Sequence, residues 1–360
     1  MRKSYRFFLY PTHTQKHQLE QALELCRWVY NETLATRKQA WEERGEMVNL
    51  YETNKLLTQW KRERPELRQV FSQVLQNVQE RVDLAFKAFF RRVKAGEEPG
   101  YPRFKGQGRY DSITFKQFGF DLTDTLNLSK IKLHRPLEGE IKTLTVTRNR
   151  LGKWYACFSC EVEPKPLPKT ERYAGVDCGL YTYLALSDGR TVENPRFFRR
   201  DEKALAKAQR RFSKCEKGTP ERRKYGKVVC QIHQRIANRR SNFAHQTSRQ
   251  LVNSYDLIVF ERLNIEGLLQ NGNLAKSIAD ASWRQLRQYT LFKAENAGRT
   301  CVEVNPRNTS KQCSRCKQLV AKDLSVRIHA CPHCGLTLDR DLNAAINILT
   351  LGMQSVGFEP

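Results

Sequence analysis

The stretch Tyr173-Ala-Gly-Val-Asp-Cys-Gly-Leu-Tyr-Thr-Tyr-Leu-Ala-Leu186 reads as two short apolar strands, the first of which ends at Asp177. A second buried-looking strand, Leu257-Ile-Val-Phe260, is followed at once by Glu261. Helical sequence separates these strands, and a further helix leads to a third strand, Cys301-Val-Glu-Val304. Strands that alternate with helices predict an α/β layer in this part of the chain.

Three carboxylates stand at the ends of these elements. Asp177 and Glu261 end strands, and Asp341 precedes a helical stretch from Leu342 to Leu349. Each alone also fits an ordinary role, because strands often end at a charge and Asp341 is a suitable helix N-cap. Together they converge on the strand ends where α/β sheets bind ligands. Neighbouring carboxylates repel one another unless cations compensate, so the set predicts two Mg²⁺ ions that act on a phosphodiester.

Two Cys-x-x-Cys pairs account for four of the 11 cysteines: Cys313, Cys316, Cys331 and Cys334. Each pair can direct two thiolates at one metal, which predicts a closed, structural Zn²⁺ site; the alternative is four free thiols. His329 or His333 could replace a thiolate, although the all-cysteine set is simpler. Cys157 and Cys160 lie on a predicted strand, where residues three apart face opposite sides, so we interpret them as core residues.

The charge balance points to a polyanionic partner. The 360 residues contain 63 Lys+Arg and 38 Asp+Glu, a net charge of +25, which an ordinary metabolic enzyme does not need. Residues 201–250 alone carry 14 basic and four acidic residues, so phosphate contact is favoured over a merely solvated helix face. The predicted contacts with nucleic acid are Arg103 and Lys105 of a glycine-rich loop, with either RNA or DNA, and Arg223, Lys227, Arg235, Arg239 and Arg240 of the basic helices.

In the N-terminal part, the spacing of apolar residues changes from that of a strand to that of helices and back again. Residues 4–10 read as a strand ended by Pro11, and a helical period follows for which Thr14 is the predicted N-cap. Two helical stretches present apolar faces, Leu19, Leu23, Cys26, Tyr30 and Leu34 on the first and Val74, Val78, Val82, Phe86, Phe89 and Val93 on the second. Short strands are predicted at 131–133, 141–147 and 154–162, with a hairpin loop at 149–152. We expect the first strand to join them, which makes the helices an insertion.

Composition excludes some classes of protein. A hydrophobic content of 39% is enough for packed cores, so a chain disordered throughout is excluded. No apolar run approaches the ~18 residues of a membrane span, and the start has no signal-peptide core. We therefore expect a cytosolic, multidomain protein that acts on nucleic acid and not on membranes.

The ordered motifs resemble a known family. Asp177 in Gly-Val-Asp-Cys-Gly, Glu261 in Phe-Glu-Arg-Leu-Asn, the two cysteine pairs and Asp341 in Asp-Arg-Asp-Leu-Asn-Ala-Ala are similar, in that order, to TnpB. TnpB, or OrfB, proteins come from insertion sequences and are related to type V CRISPR effectors. The resemblance also covers residues 10–12, 27–34, 100–105, 282–283 and 292–294, and thus nearly the whole chain. It departs at Cys178, where an aliphatic residue is common, and at Lys317, where Gly is common.

The resemblance implies a multidomain α/β architecture. It implies an RNase H-like RuvC nuclease split by a zinc-ribbon insertion, together with a β-barrel wedge domain interrupted by a helical recognition domain. The expected boundaries are 1–13 and 98–168 for the wedge domain, 14–97 for the recognition domain, 169–307 and 336–352 for the nuclease, 308–335 for the zinc ribbon and 353–360 for a tail.

The resemblance also implies an activity. Family members are RNA-guided DNA endonucleases, so we expect Mg²⁺-dependent cutting of double-stranded DNA, a guide RNA from the transposon end and a short flanking motif beside the target. The expected place of action is the prokaryotic cytoplasm, at the nucleoid. Three alternatives remain: a guided DNA-binding regulator that does not cut, a transposase that needs no guide, and a zinc-ribbon binding module on a structural α/β scaffold.

Overall fold

The computed structural model describes residues 1–116, 130–131, 133–323 and 326–357. The chain forms two compact units, Met1–Val162 and Glu163–Pro360. None of the described helices is both long and apolar enough to cross a membrane.

The first unit combines an antiparallel sheet with helices that follow its first strand. Its elements are β1 (Arg2–Tyr10), α1 (His13–Arg44), α2 (Leu50–Glu63), a 3₁₀ turn (Pro65–Gln69), α3 (Ser72–Lys94), β2 (Ser112–Lys116), β3 (Lys130–Ile131), β4 (Glu140–Arg148) and β5 (Trp154–Glu161). The strand order is β2-β4-β5-β1-β3, and every neighbouring pair is antiparallel. Because β1 pairs with β5, the prediction that the N-terminal strand joins the later strands is confirmed. The barrel and recognition-domain boundaries stay predictions.

The strands of this unit follow their sequence patterns closely. The loop 149–152 between β4 and β5 turns at Gly152, whose φ of 75° suits glycine, as the predicted hairpin requires. Cys160 is fully buried in the core while Cys157, on the opposite side of β5, is half-buried, so only Cys160 is a core residue. The predicted strand 131–133 is shorter than expected: Leu133 is exposed outside it, and Lys132 lies outside the described residues.

The helices of this unit bury most of the predicted faces. All five predicted residues of the first face are buried in α1, but this helix begins earlier than expected. Its N-cap is Thr12, because the Gln15 side chain completes a capping box with it, and the prediction of Thr14 is wrong. On α3 the apolar face is buried only as far as Phe86, and Val93 is exposed, contrary to prediction.

The second unit contains the predicted α/β layer. Its elements are β6 (Tyr173–Cys178), β7 (Thr182–Leu186), β8 (Thr191–Glu193), α4 (Phe197–Lys214), α5 (Pro220–Ser254), β9 (Leu257–Glu261), α6 (Ile265–Leu269), α7 (Ala275–Ala281), α8 (Trp283–Ala297), β10 (Thr300–Val304), β11 (Ile328–Ala330), β12 (Thr337–Asp339) and α9 (Arg340–Ser355). The main sheet has the order β10-β9-β6-β7-β8, parallel across β10, β9 and β6 and antiparallel across β7 and β8. The cysteine-rich segment lies between β10 and α9 and contains the small β11–β12 ladder.

Candidate active site and metal centre

Two of the predicted carboxylates meet through strand register. β6 and β9 are parallel neighbours in which Val176 lies opposite Phe260, so the next residues, Asp177 and Glu261, follow side by side. Their carboxyl groups share a hydrogen bond. The prediction that the ends of these two strands bring acidic side chains together is confirmed.

The third carboxylate arrives on helix α9. This helix packs against β6 at Gly175, where an added Cβ would lie 2.0 Å from the carbonyl oxygen of Ala345. It packs against β9 at Gly352, where a Cβ would lie 2.2 Å from a methyl carbon of Val259. Only glycine permits these approaches, and they set the start of α9, with Asp341, beside the strand ends.

Asp341 itself has a different local role from the one expected. The N-cap of α9 is Asp339, whose carboxylate accepts hydrogen bonds from the backbone N–H groups of Asp341 and Leu342. The suggestion that Asp341 caps the helix is therefore wrong. Because the capping role is filled by Asp339, the Asp341 carboxylate is not committed to the helix end, although it is only 6% exposed.

The electrostatics of the three carboxylates show mutual repulsion. Burial raises the pKa of Asp177 well above its ordinary value, and the negative charges of Glu261 and Asp341 raise it further, while Arg340 partly offsets them. Burial also raises the pKa of Glu261, while the hydrogen bond with Asp177 lowers it in part. Full ionisation of the two strand-end groups is therefore unfavourable unless a cation compensates their charge.

Arginine side chains surround Asp341, and one of them was missed by sequence reasoning. Nη2 of Arg327 lies 2.7 Å from Oδ2 of Asp341, and the Arg340 guanidinium lies 3.3 Å from Oδ1. The Arg327 guanidinium also lies 5.3 Å from the centre of the Tyr181 ring. No local pattern marks Arg327 in the sequence, since it is one basic residue among 63. Only the fold shows that it reaches the acidic cluster.

The four predicted cysteines come together in the segment between β10 and α9. Their sulfur atoms all lie within 4.8 Å of one another, and Sγ of Cys313 is 3.6 Å from that of Cys334, as Sγ of Cys316 is from that of Cys331. A tetrahedron with metal–sulfur bonds of about 2.3 Å places sulfurs about 3.8 Å apart. A disulfide needs about 2.05 Å, so the spacing is that of a four-sulfur metal site.

The two cysteine pairs have the same backbone geometry. The N–H of Lys317 donates to the carbonyl of Cys313, and the N–H of Gly335 donates to that of Cys331. Lys317 and Gly335 have positive φ values of 61° and 70°. The departure from the family's usual glycine at Lys317 thus places a lysine in a left-handed conformation. At the other departure, the half-buried Cys178 packs against the apolar core of the unit as a small hydrophobic side chain.

The environment of Cys313 favours its thiolate form. Burial raises the pKa of this thiol, but backbone N–H groups of Cys316 and Arg315 and the His329 side chain outweigh it and lower the pKa below its ordinary value. His329 is fully buried, with its Nδ1 2.7 Å from Nζ of Lys322, whereas His333 is exposed. Within the described residues, the cysteines form the only close group of metal-binding side chains, without either histidine.

The predicted nucleic-acid residues divide into two groups. Arg235 and Arg239 form ion pairs with Asp201, and Arg240 pairs with the buried Asp280, so these three join α5 to neighbouring helices. Lys227 is exposed, and Arg223 is exposed while donating to the carbonyl of Gly218.

In the first unit, the backbone of Lys105 is held by the Asn31 side chain, and Arg103 is exposed. The residues predicted from the pattern of basic residues therefore include both exposed cations and cations that form ion pairs between helices.

Three family models match parts of the chain. The model described as "Probable transposase", of the OrfB proteins of IS605, matches residues 157–272, and a "Cas12f1-like, TNB domain" matches residues 283–348. A "Helix-turn-helix domain" model of the same OrfB proteins matches residues 1–46. In that last region the structure forms strand β1 and one continuous helix, α1.

Similar proteins extend over almost the full length of the chain. A Streptomyces pristinaespiralis protein named "Putative RNA-guided DNA endonuclease" is 35% identical over 98% of this chain and 90% of its own. The Escherichia coli K12 protein "Putative RNA-guided DNA endonuclease InsQ" is 27% identical over 97% and 92%.

The solved structure of the mini-RNA-guided endonuclease CRISPR-Cas phi3 has a similar fold, with a TM-score of 0.52 and 8% identity over 98% of this chain and 92% of that one. The order of the carboxylate and cysteine motifs agrees with these comparisons, which include a relative 35% identical along nearly the whole sequence. The chain is therefore a member of the TnpB (OrfB) family of insertion-sequence proteins.

Proposed function

We propose that this chain is a transposon-encoded, RNA-guided DNA endonuclease whose catalytic residues are Asp177, Glu261 and Asp341. The observation that carries the proposal is the meeting of these carboxylates, from three separate segments, in a family whose members include proteins named as RNA-guided DNA endonucleases. Base pairing with the guide selects the target, and the protein reads a short motif beside it, in the prokaryotic cytoplasm at the nucleoid.

The acidic cluster fits a divalent cation of the hard, oxygen-binding kind. Its donors are carboxylates, which Mg²⁺ prefers, and the raised pKa values of Asp177 and Glu261 show that uncompensated negative charge is unfavourable there. In our proposal these three residues would hold two Mg²⁺ ions. When bound, Mg²⁺ supplies an activated water and stabilises the leaving oxygen of a phosphodiester.

The arginines beside Asp341 complete the proposed site. Arg327 and Arg340 place positive charge next to the carboxylates, where a phosphate group of the substrate adds negative charge. Arg327 can donate a hydrogen bond to a phosphate oxygen as well as to Asp341, because its guanidinium has five donors. It thereby positions the DNA strand relative to the carboxylates.

The cysteine cluster has a separate role in the proposal. A four-sulfur site is closed and leaves no open position for substrate, so its Zn²⁺ is structural. It stabilises the segment that presents Arg327 to the acidic cluster. The positive charge of residues 201–250, at Arg223 and Lys227 in particular, supports binding of guide RNA and target DNA.

The decisive experiment measures cleavage and binding of one target DNA by the purified RNA–protein complex, with Mg²⁺ and with EDTA. We expect Asp177→Ala to lower cleavage by orders of magnitude while target binding persists, because binding rests on base pairing and on cations elsewhere. Glu266→Gln, which removes an exposed carboxylate of α6, is the matched control and should cut normally.

Each alternative function predicts a different result. Wild-type protein that binds its target and never cuts it would establish a guided regulator. Equal cutting or strand transfer by RNA-free protein would establish a guide-independent transposase. Undiminished cutting by Asp177→Ala would overturn the assignment of the catalytic residues.

A further inference from the structure

The outer face of strand β1 carries large exposed rings. Burial alternates along the strand, so that Tyr5, Phe7 and Leu9 face the core while Phe8 and Tyr10 face outward. Phe8 is 41% exposed and Tyr10 is 57% exposed. Strands normally place polar residues on a solvent face, and two neighbouring exposed aromatic rings therefore require an explanation.

These rings belong to a longer row that crosses to strand β5. Tyr155 lies opposite Phe8 in the β1–β5 register, and the centres of the two rings are 4.7 Å apart. The ring of Tyr10 is 6.3 Å from that of Phe8. The Arg6 guanidinium lies 4.0 Å from the centre of the Tyr155 ring, and Nζ of Lys153 lies 5.9 Å from that of Phe8. Tyr155 itself is only 5% exposed, so the rings of this row that are open to solvent are those of Phe8 and Tyr10. We call Arg6, Phe8, Tyr10, Lys153 and Tyr155 the β1 platform.

The charge of the β1 platform is positive. In the part of the chain that the structure describes, neither Arg6 nor Lys153 forms an ion pair with an acidic side chain. Both cations instead lie over aromatic rings, which leaves their charge available to a polyanion. Planar rings with interleaved, uncompensated cations are complementary to the bases and phosphates of a nucleic-acid strand.

Several hydroxyl groups also lie on this face of the sheet. Thr147 lies opposite Tyr155 in the β4–β5 register, and Ser159 lies opposite Ser4 in the β5–β1 register. Thr145 lies opposite Cys157, next to the platform, and shares a hydrogen bond with Thr114. Such groups both donate and accept hydrogen bonds, as the ribose 2′-hydroxyl does, and that group is what distinguishes RNA from DNA.

We propose that the β1 platform binds unpaired bases of an RNA strand by stacking. Bases in a duplex are already stacked on one another, so an exposed ring is useful to bases that lie outside one. Stacking tolerates any base, and the platform would therefore bind without sequence preference. The proposal takes its RNA partner from the proposed function, but its site lies in the first unit, on residues other than those of the proposed nuclease site.

The first test uses full-length protein freed of RNA and a short fluorescent oligouridylate, with fluorescence anisotropy as the readout. Phe8→Leu keeps an apolar side chain but removes the ring, and we expect binding to weaken about tenfold. Phe8→Tyr keeps the ring and should bind as the wild type does. Tyr51→Ala is the matched control, because Tyr51 is 68% exposed and also has a lysine, Lys55, over its ring.

Several outcomes would overturn the proposal. These are unchanged binding by Phe8→Leu, an equal loss in Tyr51→Ala, or an equal loss of binding to oligothymidylate, which would remove the commitment to RNA. Circular dichroism of each variant establishes that the sheet is folded. If Phe8→Leu is unstable, Tyr10→Leu, which removes the more exposed ring, should show the same loss of binding, and unchanged binding by it would overturn the proposal.

A second test uses the complex as it is purified from cells. Ultraviolet cross-linking followed by mass spectrometry should place RNA adducts on the peptides that contain Phe8 or Tyr10. Adducts confined to other peptides would contradict the proposal. Absence of any co-purified RNA would instead contradict the guided function, while the oligouridylate measurement would still decide the platform.

Discussion

The four cysteines that come together as a metal site and the three carboxylates that we propose as Mg²⁺ ligands all lie in the second unit, but the two sets assemble over very different distances along the chain. The cysteines lie within residues 313–334, and each pair is shaped by its own backbone hydrogen bonds. The carboxylates lie at 177, 261 and 341 and meet only because two strands pair in register and a helix crosses them.

The difference appears in the electrostatics of the two clusters. Backbone N–H groups stabilise the Cys313 thiolate locally and lower its pKa. The carboxylates receive no such local support at Asp177, whose pKa is raised by burial and by its acidic neighbours. A local site can be prepared for its metal by a few residues, whereas a site assembled from distant segments depends on the packing of the whole unit.

The largest effect is expected at the local site. Cys331→Ser removes one of four sulfur ligands, and because structural zinc contributes ~10–16 kcal/mol to small zinc-binding peptides, the segment 313–334 should unfold locally. Metal analysis should find little zinc, limited proteolysis should cut this segment, and DNA engagement should fall. Cys215→Ser, outside the cluster, is the control; wild-type protein that is folded and free of zinc would contradict the prediction.

Gly175→Val should break the assembled site and leave the local one intact. The new side chain would collide with the backbone of α9 at Ala345, which should cost at least ~3 kcal/mol and abolish cleavage. Zinc content should fall much less than cleavage, because each cysteine pair is shaped by its own backbone hydrogen bonds, although Asn343 and Asn347 of α9 also bond to this segment. Gly272→Ala, where a Cβ meets nothing within 4 Å, is the control in thermal unfolding. Loss of zinc in Gly175→Val would show that the two sites are coupled.

A smaller effect should follow from the proton held at the carboxylates. In metal-free protein the pKa of Asp177 is raised to about 8, so the folded state binds more protons than the unfolded state between about pH 4 and 8. Its contribution to stability is present at low pH and is lost as the pH rises toward 8. In Asp177→Asn the midpoint of thermal unfolding should fall less as the pH rises, by several degrees compared with the wild type.

Added Mg²⁺ tests the same assignment of the proton to Asp177, because a bound cation replaces the proton. It should stabilise wild-type protein most at the high end of this pH range, where Asp177 has lost its proton, and should stabilise Asp177→Asn little. Scanning calorimetry with and without Mg²⁺ at several pH values measures both effects. Parallel stability curves for the two proteins would contradict the assignment of the proton to this pair.

The smallest effect is expected at Lys317. A lysine in the left-handed region is strained, so Lys317→Gly should stabilise the first cysteine pair by ~1 kcal/mol. Lys317→Ala loses the same side chain but keeps the strain and should show no gain. Resistance of zinc to a chelator is the measurement. Equal resistance in the glycine and alanine variants would mean that the backbone geometry does not limit the site.

Much of this protein follows from local sequence. The Cys-x-x-Cys spacing, the alternation of buried residues in β1 and the apolar face of α1 are set by residues a few positions apart, and each was predictable from its period. The apolar strands before Asp177 and Glu261 were also predictable, and with them the convergence of the two carboxylates at one sheet edge. Helix α2 was overlooked, although Asn49 and Glu52 form a capping box at its start.

Other features were decided by tertiary structure. Asp339 rather than Asp341 caps α9, and the contacts of Arg327 with Asp341 depend on a fold that the local pattern does not encode. In the same way, Arg235 and Arg240 resemble other basic residues in the sequence but pair with acids on neighbouring helices. The physical reason is that periodicity reports which face of an element is buried, whereas the partner of a charge depends on which distant segment packs against that face.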